Sequence, residues 1–178
     1  MRVLGVDPGS AVTGFGVVDG AGGGFRYVSA GAIRTDSREP APFRLKQIHD
    51  DLLGIIDEFQ PEALSLERHF VAQNVQSAFR IGEARAAAMI AAAERGVPLF
   101  EYPPTEVKIS VAAHGHADKS QVRLMVLRTL HLHPASEFAA DATDALALAI
   151  CHAGRARAAA PAATIDRRRA AAPRTRVR

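Results

Sequence analysis

Apolar residues in the first fifth of the chain fall into short runs separated by turns. Residues 3–6 are apolar on both faces, which is typical of a strand in the middle of a sheet. A turn at Pro8-Gly9 leads to a second run at 12–18, and a glycine-rich turn leads to a third, more polar run at 25–33. Such short connections predict three consecutive antiparallel strands, with the third nearest the edge of the sheet.

The next part of the chain alternates between helical and extended patterns. Apolar residues recur every three or four positions over 45–59, which predicts a helix that ends before a strand at 63–67. An alanine-rich helix over 74–95 and a strand at 97–102 follow. Since a strand that follows a helical crossover lies parallel to its neighbour, we expect a mixed five-stranded α/β sheet flanked by helices.

Three more helices are expected after the fifth strand. Thr105 is placed to cap the first of them, and Asp118 with Gln121 has the spacing of a capping box at the start of the second. The last helix is predicted over 141–152. The alanine face of the earlier long helix permits close packing of a helix in the core or of a second copy, and the sequence leaves both open.

The charge of the chain is distributed unevenly. The net charge is +3, but residues 154–178 hold eight arginines and one aspartate, which leaves −4 on residues 1–153. Because the basic segment has almost no large apolar residues, we expect one domain over 1–153 and a disordered tail over 154–178. A basic tail suits a polyanion partner, and a purely solubilising role is an equal alternative.

The apolar content also bears on location. The sequence has no apolar run near the ~20 residues that cross a bilayer, and its start lacks the pattern of a secretory signal. The single cysteine, Cys151, lies in an apolar helical run, which favours a buried thiol over a nucleophile. We therefore expect a cytoplasmic protein without membrane association.

Four acidic residues stand at the ends of predicted elements. Asp7 ends the first strand, Glu67 ends the fourth, and Asp141 and Asp144 lie one helical turn apart at the start of the last helix. If the first and fourth strands are parallel neighbours, Asp7 and Glu67 meet at the edge where open α/β sheets form their sites. Each acid alone is best explained as a cap or a solvated side chain, but the set favours a common site.

A cluster of carboxylates favours bound cations. Neighbouring carboxylates raise each other's pKa values, and a cation relieves the repulsion. Oxygen ligands without a Cys or His cluster favour Mg²⁺ or Mn²⁺ over Zn²⁺. Two such ions ~3.5–4 Å apart can hold the attacking and leaving oxygens of a phosphodiester, so the acids predict metal-dependent phosphodiester chemistry.

Four segments together resemble the RuvC-type Holliday-junction resolvases of bacteria. They are GVDPGSAVTGFGVV, ALSLERHFVAQNVQSAFRIGEARAA, FEYPPTEVKISVAAHGHADKSQV and ADATDALALAICH, in the order and spacing of that family. The resemblance implies an RNase H-like fold and a homodimer. It also implies Mg²⁺-dependent paired incision of four-way DNA junctions that leaves 5′-phosphate ends, and a RuvA–RuvB branch-migration complex as partner.

The resemblance also implies a role for each acid. The metal-binding acids of the family fall on Asp7, Glu67, Asp141 and Asp144. Asp7 would bridge two Mg²⁺ ions, which Mn²⁺ can replace, and Glu67 and Asp144 would each complete the shell of one ion. Asp141 would be a further ligand or a base that orients water.

Basic and aromatic residues are implied to contact DNA. Lys108 and Lys119 match family residues near the scissile strand, and Lys119 is placed to stabilise phosphate charge or to orient the attacking water. Phe70 matches an aromatic that the family uses against bases at the junction. Arg80 and Arg85 on the long alanine-rich helix either contact the DNA backbone or belong to a solvated helix face.

Two histidines depart from the family pattern. His114 and His116 replace the smaller or apolar residues of that loop. We expect them to be exposed loop residues, and DNA contact or weak metal binding by the His-x-His pair are the alternatives.

Other functions remain open from the sequence. An actin-like or sugar-kinase-like ATPase would use DPG as a phosphate-binding turn, but it usually needs two such domains and this chain has room for one. A non-enzymatic junction-binding module would use the acids for structure alone. An RNase H-like nuclease that acts on RNA is a closer alternative.

Overall fold

A mixed five-stranded sheet with helices on both faces forms the part of the chain that the computed structural model describes, residues 1–21, 24–68, 75–133, 136 and 138–158. In chain order the elements are β1 (Arg2–Asp7), β2 (Val12–Ala21), β3 (Gly24–Arg34), α1 (Ala41–Phe59), β4 (Ala63–Glu67), α2 (Val75–Glu94), β5 (Leu99–Tyr102), α3 (Pro104–Ala112), α4 (Lys119–Thr129) and α5 (Ala140–Ala158). The strand order is β3-β2-β1-β4-β5, with β1, β2 and β3 antiparallel and β4 and β5 parallel to β1. The predicted α/β sheet is confirmed, with β1 at its centre and β3 at its edge.

The parallel register of β1 and β4 decides where the first two acids lie. The last ladder pair of these strands is Val6 with Leu66. The next residue in each strand is an acid, Asp7 or Glu67, so both strands end side by side at the same edge of the sheet. The condition that the sequence left open, parallel pairing of the first and fourth strands, is therefore met.

The sheet separates two apolar cores. On one face, Ile48, Leu52 and Ile56 of α1 are buried in one cluster with the alanine face of α2. The buried alanines are Ala84, Ala87, Ala88, Ala91 and Ala92. On the other face, α5 packs against the sheet with α3 and α4 around it. The alanine face of α2 is thus a core feature, one of the two alternatives that the sequence left open.

The helix α5 lies directly on the backbone of β1 and β2, because glycines there leave no side chains between them. A Cβ atom at Gly5 would lie 2.0 Å from the carbonyl oxygen of Ala145, and one at Gly14 would lie 2.1 Å from that of Asp141. Both distances are far below a van der Waals contact, so only glycine permits this approach. The close packing fixes the height and the position of α5 above the two strands.

Of the two helix caps that the sequence predicted, one is present in the structure and one is not. The capping box of α4 is confirmed: Asp118 Oδ1 accepts from the Gln121 N–H at 2.8 Å, and Gln121 Oε1 accepts from the Asp118 N–H at 3.0 Å. The prediction that Thr105 caps α3 is wrong, because Pro103 holds the cap position without a side-chain hydrogen bond and Pro104 opens the helix. Proline suits the first helical position because it has no N–H group to satisfy.

The last helix is longer than predicted. It extends past the expected domain end at 153, so residues 154–158 of the expected tail are helical. An ion pair of Arg155 with Glu106 of α3 ties this extension to the domain. The rest of the expected tail, 159–178, lies outside the described residues. Like every other helix in the described part of the chain, α5 is too short or too polar to cross a membrane.

The buried side of α5 carries two titratable groups. Cys151 is fully buried with a free thiol, as the sequence predicted, and burial raises its pKa. His152 is also buried; its Nδ1 lies 2.6 Å from the Tyr102 hydroxyl, and its ring centroid lies 4.1 Å from that of Phe100. Burial lowers the pKa of His152 to about 4, so this histidine is neutral near pH 7.

The glycine contacts predict a large cost for one added methyl group. We expect Gly5→Ala to lower the free energy of unfolding by about 3 kcal/mol or more, because its Cβ would overlap the α5 backbone. Gly54→Ala is the matched control, because that exposed helical glycine has no atom within 4 Å of an added Cβ. It should raise the free energy of unfolding by about 0.5–1 kcal/mol. Urea unfolding measures both, and equal effects would contradict the close packing.

The buried histidine predicts a loss of stability in acid. Its folded pKa of about 4 lies below the ordinary value near 6.5, so stability is lost as the pH falls through that window. Between pH 7 and pH 4.5, the free energy of unfolding should fall by about 2–3 kcal/mol more in the wild type than in His152→Asn. His114→Asn, at an exposed loop position, should behave as the wild type. Identical pH profiles for the wild type and His152→Asn would contradict this explanation.

Candidate active site

A cleft of about 270 Å³ opens where β1 and β4 end. Three of the four predicted acids and both predicted lysines line it. The lining residues are Asp7, Glu67, Pro104, Val107, Lys108, Lys119, Val122, Asp144, Ala147 and Leu148. Two strands and three helices therefore contribute to one site, although the acids are far apart in the sequence.

The turn after Asp7 is hydrogen-bonded to β2 and to the residue that follows β3. The Thr13 hydroxyl donates to the Gly9 carbonyl at 2.8 Å and accepts from the Gly9 N–H at 3.3 Å. The Thr35 hydroxyl donates to the carbonyl of Ser10 at 2.7 Å. These bonds hold the chain beside β2 and β3, so the turn does not cover the Asp7 carboxylate, which lines the cleft.

The start of α5 brings the second pair of acids to Asp7. Gly14 is the ladder partner of Asp7, and the backbone of Asp141 rests on it. Asp144 follows one helical turn later and lines the cleft. Asp141 does not line the cleft, but its charge acts on Asp7.

The electrostatics of the cleft favour binding of a cation. Burial, followed by the negative charges of Asp144, Glu67 and Asp141, raises the pKa of Asp7 to about 7, and Lys119 opposes the shift. Burial also raises the pKa of Asp144, again against Lys119. A site that raises the pKa of its acids in this way stabilises a proton or a metal ion placed among them.

Lys119 provides positive charge at this edge. Its Nζ lies 3.5 Å from Asp144 Oδ2, and the side chain is 87% exposed. The capping box places Lys119 at the first position of α4, where the helix dipole disfavours a cation. The neighbouring acids offset that cost. Lys108 reaches the same cleft from α3.

The donor chemistry of the cleft fits a hard divalent cation. All the acids are oxygen ligands, and no cysteine or histidine lines the cleft among the described residues. As the side chains of the described part stand, no three His, Cys, Asp or Glu residues form a group that could hold a metal ion. A shared ion therefore requires the carboxylates to rotate toward each other, which its charge would favour.

The other predicted site residues lie outside the cleft or outside the described part. Phe70 falls in the segment 69–74, which is not among the described residues. Arg80 is exposed on α2 and does not line the cleft, so its contact with DNA stays a prediction. His114 and His116 are exposed in the loop between α3 and α4, as expected.

Two arginines that support the site had no specific signal in the sequence. Arg123 of α4 donates to the carbonyls of Phe138 at 2.9 Å and Ser136 at 2.8 Å, and so holds the chain just before α5. Arg85 of α2, for which the sequence offered a DNA-backbone contact or a solvated helix face, instead has a side chain only 17% exposed and donates to the backbone carbonyl of Glu67 at 2.7 Å. Both look like ordinary surface arginines in the sequence, because a carbonyl partner leaves no mark in the residue pattern.

The sheet order, together with the acids at the ends of the central strand and its neighbour, defines an RNase H-like α/β protein with the acidic site of a phosphodiester-cleaving enzyme. The profile of the family described as crossover junction endodeoxyribonuclease RuvC matches residues 3–152. The chain therefore belongs to the RuvC family, and the resemblance seen in the sequence is confirmed. This membership decides against the actin-like ATPase.

Individual relatives agree with the family profile. The crossover junction endodeoxyribonuclease RuvC of Magnetococcus marinus is 47% identical over 152 residues, which cover 85% of this chain and 83% of that protein. The protein of the same name from Geobacter sulfurreducens is 45% identical over 156 residues, 88% of this chain and 94% of that protein. The structure of T. thermophilus RuvC in complex with a Holliday junction substrate superposes with a TM-score of 0.84 at 39% identity, covering 89% of this chain and 96% of that chain.

Proposed function

We propose that this protein resolves four-way DNA junctions by paired, metal-dependent hydrolysis of phosphodiesters. The observation that carries the proposal is the meeting of Asp7, Glu67, Asp144 and Lys119 in one cleft of a RuvC-family chain. The related T. thermophilus protein has been solved with a Holliday junction substrate, which supports the choice of DNA over RNA.

The acids would hold two Mg²⁺ or Mn²⁺ ions, which supply an activated water and neutralise charge on the phosphate. Asp7 suits the shared ligand, because β1 is the neighbour of the strand that ends in Glu67, and the negative charges of Glu67 and Asp144 both act on Asp7. Asp141, one turn before Asp144, suits a further ligand or a base that orients water. Strand and helix ends hold the backbone at these acids, so rotation of the carboxylates would be enough to bring them onto a shared ion.

The lysines and the aromatic residue would bind the DNA strand. Lys119 is long and exposed, and its ammonium group already lies beside Asp144, so it can reach a phosphate held in the cleft. Lys108 adds a second positive charge on the α3 side of the same cleft. We assign Phe70 to stacking on a junction base from the family resemblance alone, since it lies outside the described residues.

A homodimer would place two such clefts on one junction. The outward face of α2, opposite its buried alanines, exposes apolar side chains: Phe79 at 70%, Ile90 at 54% and Met89 at 41%. Gly82 and Ala86 are exposed between them and would let a second helix approach closely. We propose that this face pairs with its copy in an isologous contact, which gives two symmetric incisions in a near-symmetric junction. A RuvA–RuvB complex as partner is proposed from the family resemblance only.

The central prediction concerns Asp7. Asp7→Asn should reduce Mg²⁺-dependent cleavage of a synthetic four-way junction at least about 100-fold, because the shared ligand loses its charge. Junction affinity, measured by gel shift in EDTA, should stay within about twofold, because the change does not touch the lysines. Asp51→Asn, at an exposed acid of α1, is the control and should cleave as the wild type. Equal cleavage by Asp7→Asn, or none by the wild type, would contradict the proposal; the latter result would favour a non-enzymatic junction-binding module.

The dimer surface can be tested separately. Ile90→Glu should convert the protein to a monomer at micromolar concentration in sedimentation velocity, because the dimer would bury the new charge. Ile109→Glu is the matched control, since Ile109 lies on α3 with the same exposure, 55% against 54%. The control should sediment as the wild-type dimer. A monomeric wild type, or a dimeric Ile90→Glu, would exclude this surface.

A further inference from the structure

The guanidinium group of Arg85 joins α2 to the ends of two strands. Its Nη1 donates to the backbone carbonyl of Glu67 at 2.7 Å, and its Nη2 pairs with the carboxylate of Glu101 on β5. The Arg85 side chain is only 17% exposed. A single side chain thus contacts both the residue that carries a predicted metal ligand and the strand beside it.

The end of β4 is paired with β5 for one residue longer than with β1. The ladder between β1 and β4 ends at Leu66, one residue before the acid. Beyond it, the sheet holds the chain from the β5 side, where the Arg68 N–H donates to the Tyr102 carbonyl at 2.8 Å. Arg85 adds a bond to the carbonyl of Glu67 itself. Both polar groups of the peptide between Glu67 and Arg68, its N–H and its carbonyl, are therefore hydrogen-bonded.

We infer that Arg85 is a positioning residue for the Glu67 carboxylate, acting through the backbone carbonyl of Glu67 while Glu101 orients the guanidinium group. The inference rests on the proposed function, in which Glu67 binds a metal ion. Releasing the carbonyl would let the strand end turn about its backbone and move the carboxylate out of line with Asp7. Small displacements of a reacting arrangement are costly, about 100-fold in rate for 1 Å.

Arginine is suited to this task in a way that lysine is not. Its planar fork presents two N–H groups in fixed directions, here toward a carbonyl and a carboxylate. Burial and the nearby charge of Arg68 lower the pKa of Arg85, and Glu101 provides the opposing negative charge. Lysine would keep the charge but could not make both contacts in the same geometry.

The test compares two arginines of one helical region. Arg85→Lys should lower kcat for junction cleavage about 10–100-fold, with KM within about threefold, and should weaken Mn²⁺ binding measured by EPR about 10-fold. Arg95→Lys is the matched control, because Arg95 also pairs with a carboxylate, that of Asp57, at 2.6 and 2.8 Å, away from the cleft. The control should keep the wild-type kcat and Mn²⁺ affinity. Glu101→Gln, which leaves Arg85 in place but less well oriented, should give a smaller loss than Arg85→Lys.

The outcomes separate the inference from the proposed function. Wild-type kcat and Mn²⁺ affinity in Arg85→Lys would overturn the positioning role while leaving the nuclease function intact. Equal losses in Arg85→Lys and Arg95→Lys, or loss of the oligomer in Arg85→Lys by sedimentation velocity, would also overturn it. If the wild type does not cleave, the proposed function fails, and Mn²⁺ binding to wild type and Arg85→Lys still decides whether Arg85 supports the acid site.

Discussion

The contact of α5 with the bare backbone of β1 and β2 is the constraint on which the acid site depends. Gly5, Gly14 and Gly16 let the helix rest on the strands without a layer of side chains. Gly14 is also the ladder partner of Asp7, so the helix start is placed directly beside the first acid. Atoms in direct contact leave no space for the helix to shift toward the strands, and the acids therefore keep their spacing.

This rigid packing also carries an electrostatic cost. The fold brings Asp144 and Asp141 to an edge where Asp7 and Glu67 already end, and it partly buries them, so that the pKa of Asp7 rises to about 7. A flexible edge would relax and separate the charges. Here the helix contact and the strand ladder prevent such relaxation, and Lys119 provides only part of the compensation. The repulsion among these acids is what a cation would relieve, so the packing that costs stability would favour a bound metal ion.

The sequence predicted the local features well, because each depends on neighbouring residues. The uniformly apolar run 3–6 indicated a central strand, the spacing of Asp118 and Gln121 indicated a capping box, and the strand 63–67 lies where it was expected. The meeting of the acids was predictable only on the condition that β1 and β4 are parallel neighbours, which is a property of the whole sheet.

Features that depend on tertiary contact were missed or misplaced. The extension of α5 through 154–158 carries an ion pair of Arg155 with Glu106, two residues that are remote in sequence. Gly5 and Gly14 gave no sign of a helix above them, because a glycine in a strand pattern is equally typical of a bulge or a bend. Arg85 could face solvent or the sheet, and only the rotation of α2 about its axis places it against Glu67.

The three faces of α2 show how a site and an assembly surface can be connected. Its buried alanines pack against α1, and Arg85 contacts the end of β4. Its outward face, the apolar stripe of Phe79, Met89 and Ile90, is exposed and can pack against a second copy. A symmetric junction requires two clefts at a fixed separation, and flexible connections between cleft and dimer contact would lose that separation. If the stripe is the dimer contact, the path from one cleft to the other runs through a close-packed helix and a buried arginine. Both are stiff elements, so the distance between the two incisions would be determined by packing within each subunit as much as by the contact between them.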